Sequence, residues 1–256
     1  MSAAQPIVVK IGGSTLGEED TSLDDVAALA LDGRRVVVVH GGGALITEWL
    51  DRMGVASEFV EGLRSTTPEA LDVVIAVLRG LVNARLVAEL ERRGARAVGV
   101  SGLDAGTLRA ERYDERLGFV GRVTSVDPAY LEAMLAAGTV PVIAPIALEP
   151  PAQPLNVNAD TAAGEIARAL NAERLIFLTD VDGVLDARGD LVPVLDADRV
   201  SELREGGALA GGMIPKVDAS LRAAERGTIA TIANGRMSGT VREVVSGTNA
   251  GTRLRG

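Results

Sequence analysis

Two glycine loops follow short apolar runs in this 256-residue chain: Gly12-Gly13 after Ile7 to Ile11, and Gly41-Gly42-Gly43 after Arg35 to His40 with its four consecutive valines. Glycine in such loops lets backbone N–H groups approach anionic oxygens closely. Neither loop has the dinucleotide spacing G-x-G-x-x-G or the lysine loop G-x-x-x-x-G-K-[ST], so each reads as a phosphate or carboxylate cradle or as a plain turn. Of the 26 lysines and arginines, only Lys10 and Lys216 are lysine. A coding bias toward arginine explains the excess but not which positions keep a compact ammonium, and at those two a planar guanidinium would not fit. Asp160 follows Asn156-Val157-Asn158-Ala159 at the start of a helix, where a carboxylate also serves simply to cap N–H groups. His40, the only histidine, ends an apolar strand and reads as a packed residue rather than a base. Arg64, in Glu61-Gly62-Leu63-Arg64-Ser65-Thr66, is by default a surface arginine. Asp180 and Asp182 beside Gly183 suggest a metal, yet Asp-x-Asp-Gly is also an ordinary turn sequence.

The elements that must hold these residues alternate. Ile7 to Ile11 and Arg35 to His40 read as buried strands, with helices over Leu23 to Leu31 and Ala44 to Met53. Val60 to Thr67 reads as loop, and Pro68 to Arg93 as one long helix with Pro68 in its first turn. Ala97 to Val100 is a third strand. Thr107 to Val126 is polar and glycine-punctuated, which predicts a hairpin region outside the main sheet. Pro128 to Ala137 and Thr161 to Leu170 read as helices, with Val140 to Ile143, Leu175 to Leu178 and Thr228 to Ile232 as strands. Gly211-Gly212 opens a helix over Met213 to Arg226. This succession predicts an α/β fold with an open, mainly parallel central sheet sandwiched by helices, and ligands at the carboxyl ends of its strands. A lobe boundary is expected near Leu170 to Leu175.

Composition narrows the function classes. With 47 % hydrophobic residues and 30 glycines the chain is globular, and at 2 % aromatic its core is aliphatic. Stacking a base on an aromatic platform is therefore not its mode of recognition. The absence of cysteine removes disulfides and thiolate chemistry and suits a reducing cytoplasm. A net charge of −9 argues against general nucleic-acid binding, so cations that meet an anionic ligand must be local. Met1 to Pro6 is too short for a signal peptide, and no apolar stretch approaches the roughly 20 residues of a membrane span.

Taken together and in order, Val9-Lys10-Ile11-Gly12-Gly13, Val39-His40-Gly41-Gly42-Gly43, Gly62-Leu63-Arg64-Ser65-Thr66, Leu81-Val82-Asn83, Leu117-Gly118-Phe119-Val120-Gly121, Asn156-Val157-Asn158-Ala159-Asp160, Thr179-Asp180-Val181-Asp182-Gly183-Val184 and Gly212-Met213-Ile214-Pro215-Lys216 resemble the amino acid kinase family and, within it, the acetylglutamate kinases. The resemblance implies a single amino acid kinase domain over residues 1–256, with an N-lobe of about 1–172 for the acylated amino acid and a C-lobe of about 173–256 for ATP. It implies transfer of a phosphoryl group from ATP to the γ-carboxylate of N-acetyl-L-glutamate, the second step of arginine biosynthesis. Catalytic Lys10 and Lys216 would flank the transferred group, with Asp160 between them. Gly42 and Gly43 would present N–H groups to the acceptor, Arg64 would grip its α-carboxylate, and Asn156 with Asn158 would fix its amide. Gly12, Gly13, Thr179, Asp180, Val181, Asp182, Gly183, Val184 and Leu185, with Ala208, Leu209 and Ala210, would line the ATP site. Mg²⁺ would be held by the nucleotide phosphates, with no protein metal ligand.

Such a reaction makes demands that these residue types meet. A glutamate-type carboxylate with a pKa of about 4.3 is ionised at neutral pH and needs no general base. The obstacle is repulsion from a polyanionic nucleotide, which positive charge, N–H donors and in-line positioning relieve. Ser65 replaces an apolar residue usual in the family, and Pro215 precedes the lysine. The first strand begins at about residue 7, leaving no room for the amino-terminal helix that joins regulated members into rings, so a homodimer without arginine feedback is expected. The alternatives are a kinase for carrier-protein-linked aminoadipate or glutamate, whose arginine loop and Asn/Asp segment usually differ, and a non-enzymatic amino-acid sensor, which would need neither lysine.

Overall fold

The computed structural model describes residues 4–12, 21–60, 63–248 and 250–255. In chain order the elements are β1 (Ile7–Ile11), α1 (Ser22–Leu31), β2 (Val36–His40), α2 (Gly43–Met53), β3 (Phe59–Val60), β4 (Leu63–Arg64), α3 (Pro68–Ile75), a π-helical stretch (Ala76–Val82) and α4 (Asn83–Arg92). There follow β5 (Ala97–Ser101), β6 (Leu108–Arg112), β7 (Val120–Val126), α5 (Ala129–Ala136), β8 (Val140–Ala144), β9 (Ile146–Glu149), β10 (Gln153–Val157), α6 (Ala159–Ala169) and β11 (Arg174–Thr179). The chain closes with β12 (Val194–Leu195), α7 (Ala197–Glu205), α8 (Met213–Ala224), β13 (Ile229–Asn234), α9 (Thr240–Ser246) and β14 (Thr252–Leu254).

One eight-stranded sheet in the order β12-β14-β13-β11-β1-β2-β8-β5 forms the centre. Its pairings are parallel except for β14 against β13. The near-continuous Val and Ile runs of β1 and β2 follow from burial on both faces. Because side chains alternate along a strand, Val8, Val37, Val39 and Phe177 pack with α6 and α8 on one face, and Val9, Ile11, Val36 and Val38 pack with α1, α2 and the helix from Pro68 to Arg92 on the other. That alternation sends Lys10 to the α6 face and His40 to the long-helix face.

The region expected to hold a hairpin outside the main sheet does contain β6 and β7, and it is larger than predicted. A second hairpin, β9 and β10, joins it in a closed four-stranded barrel. The segment read as loop over Val60 to Thr67 forms the short antiparallel hairpin β3–β4. Thr67 caps α3 by accepting from the Ala70 amide, with Pro68 in the first turn as expected.

Candidate active site

Register brings the loops of four neighbouring strands to one level at the carboxyl edge of the sheet. Ile11 pairs with His40 on one side and Leu178 on the other, and Thr179 pairs with Asn234. Gly12, Gly41, Thr179 and Asn234 therefore sit side by side, where an open α/β sheet binds its ligands. The Gly41 amide donates to Ile11 O at 3.0 Å, tying the two glycine loops together. Gly13 lies outside the described residues.

Lys10, Asp160 and Lys216, which stand 150 and 56 residues apart in sequence, converge there. Lys10 Nζ lies 2.8 Å from Asp160 Oδ1 and Lys216 Nζ 3.0 Å from Oδ2, and the three side chains are only 8 %, 13 % and 7 % exposed for Lys10, Lys216 and Asp160. Lys216 also donates to Gly212 O at 3.0 Å, which anchors it to the start of its own helix. Burial alone would raise the Asp160 carboxyl; the two ammonium groups outweigh it and hold the carboxyl below its ordinary range. Burial lowers the Lys10 ammonium against the pull of Asp160, and the like charge of Lys216 adds to the lowering. A single carboxylate thus spaces two cations with a net positive charge in a half-enclosed place.

Asp160 is not the helix cap that its position allowed. Asn158 caps α6, its Oδ1 accepting from the Asp160 and Thr161 amides at 2.9 and 3.0 Å. This leaves the Asp160 carboxylate to the lysines, and the Asn158 Nδ2 amide nitrogen has no hydrogen-bond partner among the described residues. α3, α6 and α7 all carry side-chain caps. α2 and α8 instead begin after Gly42 and Gly212 with neither a side-chain cap nor an acidic residue in the first turn. The leading N–H groups and positive dipole end of α2 suit an anion, whereas at α8 the Met213 and Ile214 amides already donate to Ala210 O and Gly211 O at 3.2 Å and Pro215 has no N–H.

Arg64, predicted as a carboxylate grip, is not a free surface arginine. It is 8 % exposed, and burial lowers its guanidinium from the ordinary value. It donates to Ser57 Oγ at 2.6 Å, to Thr47 Oγ1 and to Gly43 O at 3.1 Å, and stacks 4.5 Å above the Phe59 ring. No carboxylate among the described residues lies within ion-pair distance. Asn156 on β10 reaches the same place, donating to Thr66 Oγ1 at 3.2 Å. Gly42 packs against the long helix, since a Cβ there would fall 2.7 Å from Leu78 Cδ2. Gly43, Arg64, Thr66 and Asn156 are thus linked to one another, and Asn158 adjoins Asp160 at the start of α6.

On the other side, Thr179, Asp180, Val181, Asp182, Gly183, Val184 and Leu185 leave β11 as a loop. Asp182 accepts from Asn234 Nδ2 at 2.8 Å and Thr179 donates to Asp180 at 3.2 Å, so both acidic groups have turn-type partners. Gly183 (φ +154°) has no room for a Cβ beside Thr252, whose hydroxyl accepts from the Val184 amide at 2.8 Å. Val184 and Leu209 are buried core residues, whereas Val181 and Leu185 offer exposed apolar surface. Ala208, Leu209 and Ala210 bridge α7 and α8. A cavity of about 360 Å³ between α7 and the loop at Asp186 to Arg188 touches this set at Ala208, and none of the three charged residues lines it.

A mainly parallel sheet with two lysines on one aspartate and the uncapped start of α2 at its carboxyl edge defines an α/β protein with a local cationic site for anionic groups. The chain belongs to the amino acid kinase family, whose sequence model matches residues 5–234. It is 44 % identical over 255 residues to the acetylglutamate kinase of Campylobacter curvus (strain 525.92), covering 97 % of this chain and 91 % of the relative. It is 40 % identical over 257 residues to that of Dehalococcoides mccartyi (strain ATCC BAA-2266 / KCTC 15142 / 195), covering 98 % and 94 %. Among solved structures, N-acetylglutamate synthase from Neisseria gonorrhoeae in complex with coenzyme A and N-acetylglutamate superposes with a TM-score of 0.86 at 25 % identity, over 98 % of this chain and 59 % of that one.

Proposed function

We propose that this chain is an acetylglutamate kinase, transferring the γ-phosphoryl group of ATP to the γ-carboxylate of N-acetyl-L-glutamate to give N-acetylglutamyl 5-phosphate in the second step of arginine biosynthesis. The observation that carries the reading is the Lys10–Asp160–Lys216 line at 2.8 and 3.0 Å, in a chain 40 % or more identical to acetylglutamate kinases over nearly its whole length. Residues to about 172 hold the acceptor and those from about 173 hold the nucleotide. ATP supplies the phosphoryl group, and Mg²⁺ carried on its phosphates offsets their charge.

The protein's own groups then have separate tasks. Lys10 meets the acceptor side of the transferred group and Lys216 the nucleotide side, each as a compact cation that follows charge as it moves. Asp160 keeps both ammonium groups oriented and stops them repelling one another. The Gly42 and Gly43 amides at the start of α2 bind acceptor oxygens. Arg64, held flat over Phe59, takes the α-carboxylate, while Asn156 and the free Nδ2 of Asn158 pair with the acyl amide. No group needs to accept a proton, because the attacking carboxylate is already ionised.

We place the enzyme in the cytoplasm, which the absence of cysteine suits, as a homodimer. No helix among the described residues is long and apolar enough to cross a membrane. Initial rates with Lys10→Arg and Lys216→Arg test the reading: each is expected to lose about 100-fold or more in kcat although the charge is kept. Near-normal turnover in both would remove the lysines from the reaction.

A further inference from the structure

The only histidine of the chain is buried at the last position of β2, beside the glycine loop, and the roles assigned above leave it unused. Asn83, the first residue of α4 after the π-helical stretch, crosses the face of the sheet to reach it. Asn83 Nδ2 lies 2.9 Å from Val142 O on β8, 3.4 Å from Val100 O on β5 and 3.1 Å from His40 Nε2. Two backbone carbonyls fix which end of the amide carries the nitrogen. On its other side, Asn83 Oδ1 accepts from Arg79 Nη1 at 3.3 Å, and Arg79 in turn faces Asp104, whose carboxylate accepts from the Ser101 amide and hydroxyl at 2.6 and 2.8 Å. The amide cannot flip without setting an oxygen against two carbonyls.

The consequence passes down the chain of donors. Asn83 Nδ2 cannot accept a hydrogen bond from His40 Nε2 and Gly41 O cannot donate one to Nδ1, so the ring proton sits on Nδ1, which lies 2.9 Å from Gly41 O and donates to it. Gly41 is the residue before Gly42 and Gly43. Asn83 needs a bare backbone opposite to fit, and finds one at Gly99, where a Cβ would collide with Asn83 Oδ1. The π-helical stretch that presents Asn83 also presents Leu78 and Val82 to Gly42, and such insertions recur at functional sites.

We infer that Asn83 and His40 are positioning residues for the acceptor loop: Asn83 fixes the Nδ1–H tautomer of His40, and that N–H holds the Gly41 carbonyl so that the Gly42 and Gly43 amides face the acceptor. This rests on the proposed reading for the identity of the acceptor, but the tautomer does not. Selective ¹⁵N NMR of the single imidazole in the intact wild-type protein at neutral pH reads it directly. The expected spectrum is a protonated Nδ1 and an unprotonated Nε2; the reverse tautomer or a doubly protonated ring overturns the inference whether or not any variant folds.

Two substitutions separate positioning from packing. His40→Asn keeps an N–H donor where Nδ1 stood, and His40→Gln places its amide at the Nε2 end and loses the bond to Gly41. With N-acetylglutamate as acceptor, the Asn variant is expected to stay within about threefold of the wild-type acceptor KM. The Gln variant is expected to rise about tenfold or more, with the KM for ATP within about twofold in both. Equal acceptor KM values, or parallel changes in both KM values, overturn the inference. A wild type that does not turn over N-acetylglutamate yet shows the Nδ1–H tautomer overturns the substrate reading instead.

Discussion

Two lysines on one carboxylate are a costly arrangement unless charge arrives to use it. Desolvation penalises all three groups, and the pair of ammonium ions repels. Asp160→Asn removes the group that keeps them together. Because Asn158 and not Asp160 caps α6, the helix start survives this change, and the expected result is a kcat lower by about 100-fold with the circular dichroism of the folded protein; wild-type kinetics would show that Asp160 is structural. His40 makes a separate statement about pH. Burial, opposed by the bond to Gly41 O and aided by Lys10, lowers its pKa from 6.5 to about 4. The folded state therefore binds fewer protons than the unfolded chain between those values, so stability is complete above pH 6.5 and is lost as pH falls toward 4, by about 3 kcal/mol. Urea unfolding at pH 7 and at pH 4.5 checks this, with His40→Asn expected to lose the part of the slope that histidine contributes.

At the level of elements, the start of α6 does two jobs that one substitution can separate. Aspartate caps as well as asparagine, so Asn158→Asp is expected to change stability by less than about 0.5 kcal/mol while an added anion beside the acceptor raises its KM about tenfold or more. A parallel loss of stability would mean that the cap is all Asn158 provides. The elements whose pattern is local were legible in the sequence. The buried runs of β1 and β2 announced themselves by valine and isoleucine, and Pro68 marked the start of the long helix. What escaped depends on distant partners. β9 and β10 are short and become a barrel only by pairing with β6 and β7. β3–β4 is two residues a side, and β12, β14, α7 and α9 lie in polar or glycine-broken stretches with no period to read. Of the residues singled out in the sequence, Lys10, Asp160 and Lys216 meet in ion pairs and Arg64 meets the Gly43 carbonyl. The support of the site was not legible. The Asn83–His40 link joins residues 43 apart, and no local pattern sets Asn83 apart from Arg79 and Arg85 in the same helical stretch.

On the proposed reading the acceptor groups lie on the β2, α2, β4 and β10 side of β1 and the nucleotide loops on the β11 and β13 side, with the two lysines between them. Light scattering is expected to give twice the 26.4 kDa chain mass; a monomer or a hexamer would contradict the proposed homodimer. The acceptor site makes a stricter demand. A guanidinium for the α-carboxylate and amides for the acyl group leave a free amino acid with an unpaired ammonium beside donors arranged for a neutral amide, and such mismatches discriminate strongly. One methylene fewer leaves the distal carboxylate short of in-line attack. The most direct measurement is a coupled ATP-consumption assay with N-acetylglutamate, N-acetylaspartate, glutamate and carrier-linked glutamate compared in the same enzyme preparation. The account predicts a kcat/KM for N-acetylglutamate at least about 100-fold above each of the others, and equal or greater use of free or carrier-linked glutamate would contradict it.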